Sequence, residues 1–243
     1  MKKLLTILAI SLLSVTATSQ VKSRISTRTG TVNQLEAYGR VLYQGLGYYP
    51  EGRDSLFIRN NGTKTDSIII PSVLTIDKKP YTVVGFKDNA FEYDVDLKYI
   101  SIPSSITEIA SSCFYGCSRL KECDMPGVKT IGAYSFFGTD FHSLAFSEGL
   151  ERIDECAFKC DNLRYIELPG TLEYIGERAF VYCEQLDTVK VHFDKPIELG
   201  SSVFWLNRRN TSRRHKTLMV PAGSKVAFET HEQWRLFQTI IEY

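Results

Sequence analysis

The sequence has no large excess of charge of either sign, and this narrows the classes of function. Lysine and arginine together number 29 and aspartate and glutamate 28, so the formal net charge is +1. Proteins that wrap nucleic acid or coat an anionic membrane need a surplus of basic residues. We therefore expect no nucleic-acid partner.

Long hydrophobic runs are absent beyond the first twenty residues. Lys2 and Lys3 precede an apolar stretch from Leu4 to Leu13, and small residues at 17–19 follow it. This order is typical of a secretory signal peptide. A transmembrane anchor needs about 20 apolar residues, which this stretch does not supply. The sequence predicts cleavage after Ser19 and an exported protein, periplasmic, cell-surface or secreted, with no transmembrane segment in the mature chain.

Cysteine is absent before Cys113, and none of the six cysteines forms a C-x₂-C pair. That spacing argues against a zinc site. Cys117, Cys160 and Cys183 each follow a repeated phenylalanine by two or three positions, while Cys113 and Cys156 precede one. Free cysteine is among the most buried residue types, so the pattern favours buried thiols. Up to three disulfides are the alternative.

Catalytic signatures are missing as well. The sequence has no H-E-x-x-H, no G-x-S-x-G and no phosphate-binding glycine loop, and its four histidines are scattered. Asp94 and Asp96 fit a solvated turn better than a calcium site. We expect no enzyme activity, no metal and no cofactor.

What the sequence does have is a repeat of about 22 residues, which points to a stacked architecture. Each unit has a phenylalanine preceded at five positions by an apolar anchor. The phenylalanines are Phe91, Phe114, Phe136, Phe158, Phe180 and Phe204, and the anchors are Phe86, Ile109, Ile131, Ile153, Ile175 and Leu199. Such a unit buries nothing alone, so we expect the phenylalanines to form one continuous column when the units stack.

A short apolar alternation follows most of these phenylalanines, as in Ile100-x-Ile102 and Ile166-x-Leu168, and proline often ends it. Alternation with period 2 predicts a strand, and stacked strands of this kind form a parallel sheet. A parallel β-helix of the polysaccharide-lyase kind has coils of similar length. That fold commonly stacks asparagine in its turns, whereas residues 91–204 contain only Asn162.

The motif I-G-x-x-A-F at Ile175–Phe180, followed by Cys183 and Leu186, resembles the BspA-like bacterial leucine-rich repeats. The resemblance spans residues 66–221. It implies an exported or surface protein that contacts other proteins or cell surfaces without catalysis. The alternatives are a structural envelope scaffold without a specific ligand and, less favoured, a glycan-binding or carbohydrate-active β-helix protein.

The expected fold is a leucine-rich-repeat-like solenoid with a parallel sheet face and a cap at each end. We predict a signal peptide over 1–19, a β-rich cap over 20–65, the solenoid over 66–221 and a C-terminal cap over 222–243. The first cap should contain strands at Tyr38–Leu42 and Ser55–Ile58 and a turn at Gly45–Gly47. The second should contain a short helix after Ser224, ending at His231, and a strand from Thr239 to Tyr243.

Two surfaces are candidate binding sites. The first comprises the outward residues of the sheet face, where two tyrosines lie among carboxylates, a mixture suited to recognition of another protein or cell-surface component. These residues are Tyr99, Ser101, Glu122, Asp124, Ser143, Ala145, Tyr165, Glu167, Thr188 and Lys190. The second is a basic insertion suited to an anionic glycan or envelope polymer. It contains Arg208, Arg209, Arg213, Arg214, His215 and Lys216.

Overall fold

The computed structural model describes residues 29–32, 40–204 and 216–243. A six-stranded sheet, ordered β1-β6-β7-β4-β3-β2, caps the N-terminal end. Its strands are β1 (Thr29–Val32), β2 (Val41–Tyr43), β3 (Leu46–Glu51), β4 (Ser55–Asn60), β6 (Val73–Ile76) and β7 (Lys79–Phe86). Strands from both sides of residue 65 share this sheet. The strand β5 (Ser67–Ile69), which lies between them in the sequence, pairs within the solenoid instead.

The predicted strand at Ser55–Ile58 is present as β4, but the turn predicted at Gly45–Gly47 is wrong. Leu46, Gly47 and Tyr48 are buried within β3. The turn lies one position earlier, at Gln44 and Gly45, whose φ angles are 51° and 79°. Two successive positive φ values are typical of the tight hairpin turn that suits the twist of paired antiparallel strands. Of the strand predicted at Tyr38–Leu42, residues 38 and 39 lie outside the described residues.

The solenoid places one strand of each coil on what we call the first sheet. Its strands run parallel and form two groups, β10-β8-β5 and β13-β16-β18-β20-β21. Beside β5, they are β8 (Tyr99–Ser101), β10 (Glu122–Asp124), β13 (Ser143–Ala145), β16 (Tyr165–Leu168), β18 (Thr188–Val191), β20 (Thr217–Val220) and β21 (Thr239–Glu242). The predicted parallel sheet is therefore present, divided between β10 and β13.

A second parallel sheet runs along the solenoid and is uninterrupted. It contains β9 (Glu108–Ile109), β11 (Thr130–Ile131), β14 (Arg152–Ile153), β17 (Tyr174–Ile175) and β19 (Glu198–Leu199). The isoleucine and leucine anchors of the repeat end these strands and point into the core, where Ile109, Ile131, Ile153 and Ile175 have no exposed surface. A third ladder pairs β12 (Phe136–Phe137) with β15 (Phe158–Lys159).

The repeated phenylalanines form the predicted column in the core. Consecutive rings from Phe91 to Phe180 have centroids 5.2–5.3 Å apart, with interplanar angles of 5–17°. Phe204 extends the column at 5.6 Å from Phe180. This spacing is close to the distance of about 4.8 Å between neighbouring strands, so each coil adds one ring to the column.

The residue two positions before each of these phenylalanines adopts a left-handed conformation. Six residues share this feature, with φ between 49° and 57°: Asn89, Ser112, Tyr134, Cys156, Arg178 and Ser202. The turn thus recurs in every coil although no glycine occupies it. Non-glycine residues rarely adopt this conformation, and it costs roughly 1–2 kcal/mol each. The stacking of neighbouring coils supplies the compensating energy.

Glycine in the I-G motif allows adjacent coils to approach closely. A Cβ atom at Gly176 would lie 2.7 Å from backbone atoms of Asp154 and Glu155 in the preceding coil. We expect Gly176→Ala to lower the free energy of unfolding by about 1–3 kcal/mol, since backbone atoms cannot move aside as a flexible side chain could. Gly170→Ala is the matched control, because its nearest contact would be an ordinary 3.5 Å. Equal urea midpoints for the two variants would contradict this explanation.

All six cysteines lie within residues 40–204, and each is a free thiol. The expectation of buried thiols is confirmed for five of them, whereas Cys123 is half-buried. Cys117 donates to the carbonyl oxygen of Phe91 at 3.0 Å, and burial raises its pKa to about 12. Cys156 occupies the left-handed position and Ala157 the position directly before Phe158.

The C-terminal end is covered by the helix α1 (Lys225–Thr230), a 3-10 turn (Trp234–Leu236) and β21. The predicted helix and strand are present. Ser224 precedes α1 as predicted, but its hydroxyl donates to the carbonyl of Pro221 and makes no side-chain cap. Trp234 is fully buried, and its indole N–H donates to the carbonyl of Ile197 at 3.1 Å. Within the described ranges, no helix is long and apolar enough to cross a bilayer.

Candidate binding face

The N-terminal part of the first sheet carries four of the predicted binding residues. Tyr99 and Ser101 on β8 lie directly beside Glu122 and Asp124 on β10. The hydroxyl of Tyr99 donates to Asp124 Oδ2 at 2.6 Å. Burial and the neighbouring Asp124 carboxylate raise the pKa of Tyr99 to about 12. Glu122 is exposed and the other three are half-buried, so this patch offers an ordered tyrosine beside two carboxylates.

The middle of the face carries small side chains. Ser143 and Ala145 on β13 are exposed, and their small side chains add little relief. The break in the first sheet lies between this strand and β10. The predicted face therefore consists of two patches, separated by the break in strand pairing and by the small side chains of β13.

In the C-terminal part of the face, the prediction that Tyr165 is available to a ligand is wrong. The residue points away from the core, as predicted, yet only 8% of its surface is exposed. Its hydroxyl donates to Glu167 Oε2 at 3.0 Å, and burial is the main reason that its pKa is raised. Tyr165 therefore supports its neighbours and offers little surface to a ligand.

Glu167 is the centre of the C-terminal patch. Its Oε1 accepts a hydrogen bond from Lys190 Nζ at 2.9 Å and lies 2.6 Å from His192 Nε2. Burial acts to raise the pKa of the carboxyl, but the hydrogen bonds from Lys190 and His192 outweigh it and hold the pKa below its usual value. The carboxylate is thus ionised and fixed at neutral pH. Thr188, on the same strand as Lys190, is half-buried beside Tyr165.

Two residues of this patch were missed by the sequence analysis. Tyr243 lies beyond β21 and is 46% exposed, with the Lys190 ammonium 4.6 Å from its ring centroid. Its hydroxyl donates to the carbonyl of Val191 at 3.0 Å and lies 3.2 Å from His192 Nδ1. The available signal was the period of 2, which places His192 outward after Lys190 and Tyr243 outward after Ile241.

Of the predicted basic insertion, the structure describes Lys216. Arg208, Arg209, Arg213, Arg214 and His215 lie outside the described residues. Lys216 is described, and its place in an exposed basic cluster is wrong, since only 9% of its surface is exposed. Burial lowers its pKa to about 8. Lys216 begins the strand region of β20 and lies beneath the C-terminal cap, which the charge-rich sequence around it did not indicate.

Asp94 acts as a turn residue. Its Oδ1 accepts from the backbone N–H groups of Asp96 and Leu97 at 3.2 Å, and Oδ2 accepts from Asn60 Nδ2 at 2.6 Å. Burial raises its pKa, against these hydrogen bonds. Among the residues described, no three histidine, cysteine or acidic side chains are grouped so that they could hold a metal ion.

Solved structures of bacterial leucine-rich repeat proteins are similar to this chain. A leucine-rich repeat protein of T. pallidum has a TM-score of 0.51 and 19% identity, covering 68% of this chain and 87% of its own. One from Bacteroides ovatus ATCC 8483 has a TM-score of 0.49 and 19% identity, covering 76% of this chain and 66% of its own. At 19% identity, the similarity to the T. pallidum protein concerns the fold alone. Comparison with curated proteins gave no significant match.

The family model described as a BspA type leucine rich repeat region matches residues 85–209 in six copies. This range is just over half of the 243 residues and contains the phenylalanine column and the second sheet. The resemblance inferred from the I-G-x-x-A-F motif is thereby confirmed. The chain belongs to the family of BspA-type leucine-rich repeat proteins.

Proposed function

We propose that this protein is an exported, non-catalytic binding module that uses the first sheet to contact another protein or a cell-surface component. The observation that carries the proposal is the pair of ordered polar and aromatic patches on one sheet face. Tyr99 with Asp124 forms one, and Glu167 with Lys190 and Tyr243 forms the other. Family membership supports a binding role in general terms.

The hydrogen bonds that restrict side chains within the two patches favour binding. Immobilising a flexible side chain at an interface costs about 0.5–1.5 kcal/mol, and hydrogen bonds already restrict Tyr99 and Lys190 before a partner arrives. Tyrosine adds contact area at low entropic cost. The one carboxylate described in the C-terminal patch, Glu167, pairs with Lys190 and His192, whereas Glu122 in the N-terminal patch is exposed. A partner with a basic or mixed-charge surface would complement this face.

Two double variants test the face. We expect Tyr99→Ala with Glu122→Ala, and separately Lys190→Ala with Tyr243→Ala, to weaken binding at least about tenfold, as loss of central interface residues does. The measurement is biolayer interferometry against an array of purified extracellular and cell-surface proteins, with heparin as a sulfated glycan probe. The matched control is Tyr174→Ala with Glu198→Ala on the second sheet, where the same residue types occur on β17 and β19.

The outcomes separate the candidate surfaces. Saturable binding that both sheet-face variants reduce, and the control does not, supports the proposal. Binding to heparin that is lost only when Arg208, Arg209, Arg213 and Arg214 are replaced by alanine would favour the basic insertion and a glycan. Binding that none of these changes affects would remove the first sheet from consideration. Export is tested by cell fractionation with protease treatment of intact cells, and a cytoplasmic product would contradict it.

A further inference from the structure

A cavity of about 470 Å³ lies at the C-terminal end of the solenoid, apart from the candidate binding face. It is bounded on one side by the coil that follows β19 and on the other by the 3-10 turn of the C-terminal cap. Its volume is within the range of roughly 300–1,000 Å³ that small-molecule sites occupy. The apolar wall consists of Leu199, Val203, Phe204, Leu236 and Phe237.

One charged group, Lys216, is buried at this cavity. The residue lines the cavity with only 9% of its surface exposed. No carboxylate of the described residues lies within ion-pair distance of its ammonium group. Cys183 and Asp187 are the groups that attract this charge. Because the remaining wall is largely apolar, an anionic head group in the cavity would gain an ion pair with Lys216 that no other basic residue of the lining offers.

We propose that this cavity binds a small monoanionic amphiphile, a monocarboxylate whose head group pairs with Lys216 and whose apolar body packs against Phe204 and Phe237. The other charged residue of the lining, Glu232, is exposed and restricts the ligand to a single negative charge. A dianion would be repelled by Glu232, and a cation by Lys216. A neutral ligand would form no ion pair with Lys216. This site is independent of the function proposed for the first sheet.

The affinity should depend on pH through Lys216. Burial is the main reason that its pKa is about 8, while Cys183 and Asp187 act in the opposite direction. Glu232 is the other charged residue that lines the cavity. An anionic head group binds the ammonium form. We therefore expect binding to be constant below pH about 8 and to weaken above it, as the amine loses its proton.

Isothermal titration with hexanoate, decanoate and tetradecanoate tests the proposal, with decanol as the uncharged comparison. We expect at least one carboxylate to bind with a stoichiometry of one, and decanol at least about tenfold more weakly. Lys216→Met, which keeps the length of the side chain, should weaken the carboxylate about tenfold and abolish the pH dependence. Leu236→Glu should also weaken it, because Leu236 at the rim is 75% exposed and the new charge repels the head group.

Matched variants distinguish a site from a general charge effect. Lys225→Met and Val226→Glu make the same changes on α1, at residues that do not line the cavity. Both should bind the carboxylate as the parent does, and circular dichroism melts should show that every variant is folded. The proposal is overturned if no carboxylate binds saturably, if decanol binds as tightly as decanoate, or if Lys216→Met and Lys225→Met behave alike.

Discussion

Replacing Phe158 by alanine should lower the free energy of unfolding by about 3–5 kcal/mol, the usual cost of removing a large aromatic ring from a core. Phe158 has no exposed surface. Its ring stacks between Phe136 at 5.3 Å and Phe180 at 5.2 Å, and Phe146 contacts it edge-on at 5.7 Å. The cavity would lie in the middle of the column, where both neighbouring coils lose a contact. Urea denaturation measures the effect.

Phe137 provides the matched control, because it is the next residue and is only half-buried. Its ring stacks on Tyr115 at 5.3 Å on the outside of the coil. We expect Phe137→Ala to cost about 1 kcal/mol, the scale of one aromatic pair near the surface. Phe204, half-buried at the end of the column, should fall between the two. If Phe158→Ala left the urea midpoint unchanged, the column would not be what stabilises the stack.

The phenylalanine column could be predicted because two signals agree. The spacing of the phenylalanines repeats with the coil, and the anchor five positions earlier repeats with it. A stack of coils converts both repeats into columns, so each supports the other. The left-handed turn two positions before each phenylalanine also repeats, but its residues range from Asn89 to Tyr134 and Arg178. No shared side-chain chemistry marks this turn in the sequence, so it is seen only in the structure.

The burial of Tyr165 could not be predicted for a different reason. Alternation along a strand tells which face a side chain is on, and that part was correct. What surrounds it on that face depends on residues from other coils, such as Thr188, and on the chain end at Tyr243. The partners of Glu167 are 23 and 25 residues away. A repeat fold brings such positions together only once the register of every coil is known.

The burial of Lys216 could not be predicted from the local sequence either, and it has a larger effect on the free energy of unfolding. Next to Arg213, Arg214 and His215 its sequence context is that of an exposed basic segment. The C-terminal cap lies against it: Thr239 on β21 donates its backbone N–H to the carbonyl of Lys216 at 3.3 Å, and Lys216 lines the same cavity as Phe237. The cap therefore covers an ionisable group that the local sequence assigned to solvent. This burial leads to a measurable effect on stability.

Lys216→Met should raise the free energy of unfolding near neutral pH by about 3 kcal/mol. The folded-state pKa of about 8 is below the ordinary value of 10.5. One pKa unit corresponds to about 1.4 kcal/mol, and the depressed pKa means that the folded state disfavours the ammonium form. Below pH about 8 the amine is charged in both states, so its full cost is present. Methionine has a similar length and carries no charge, which removes that cost.

The sign of this effect can be tested by its pH dependence. Between pH about 8 and 10.5 the unfolded chain holds a proton at Lys216 that the folded chain has released, so raising the pH stabilises the folded state. The advantage of Lys216→Met should therefore shrink as the pH rises through this window and vanish above it. Urea denaturation of both proteins at several pH values follows Lys216 together with Cys183, which interacts with it electrostatically, since the remaining titrations are common to the pair. Lys225→Met, at a half-buried residue paired with Glu229 at 3.6 Å, should change stability by less than about 0.5 kcal/mol at every pH. A destabilised Lys216→Met, or a difference that does not vary with pH, would show that the amine is hydrated in the folded protein.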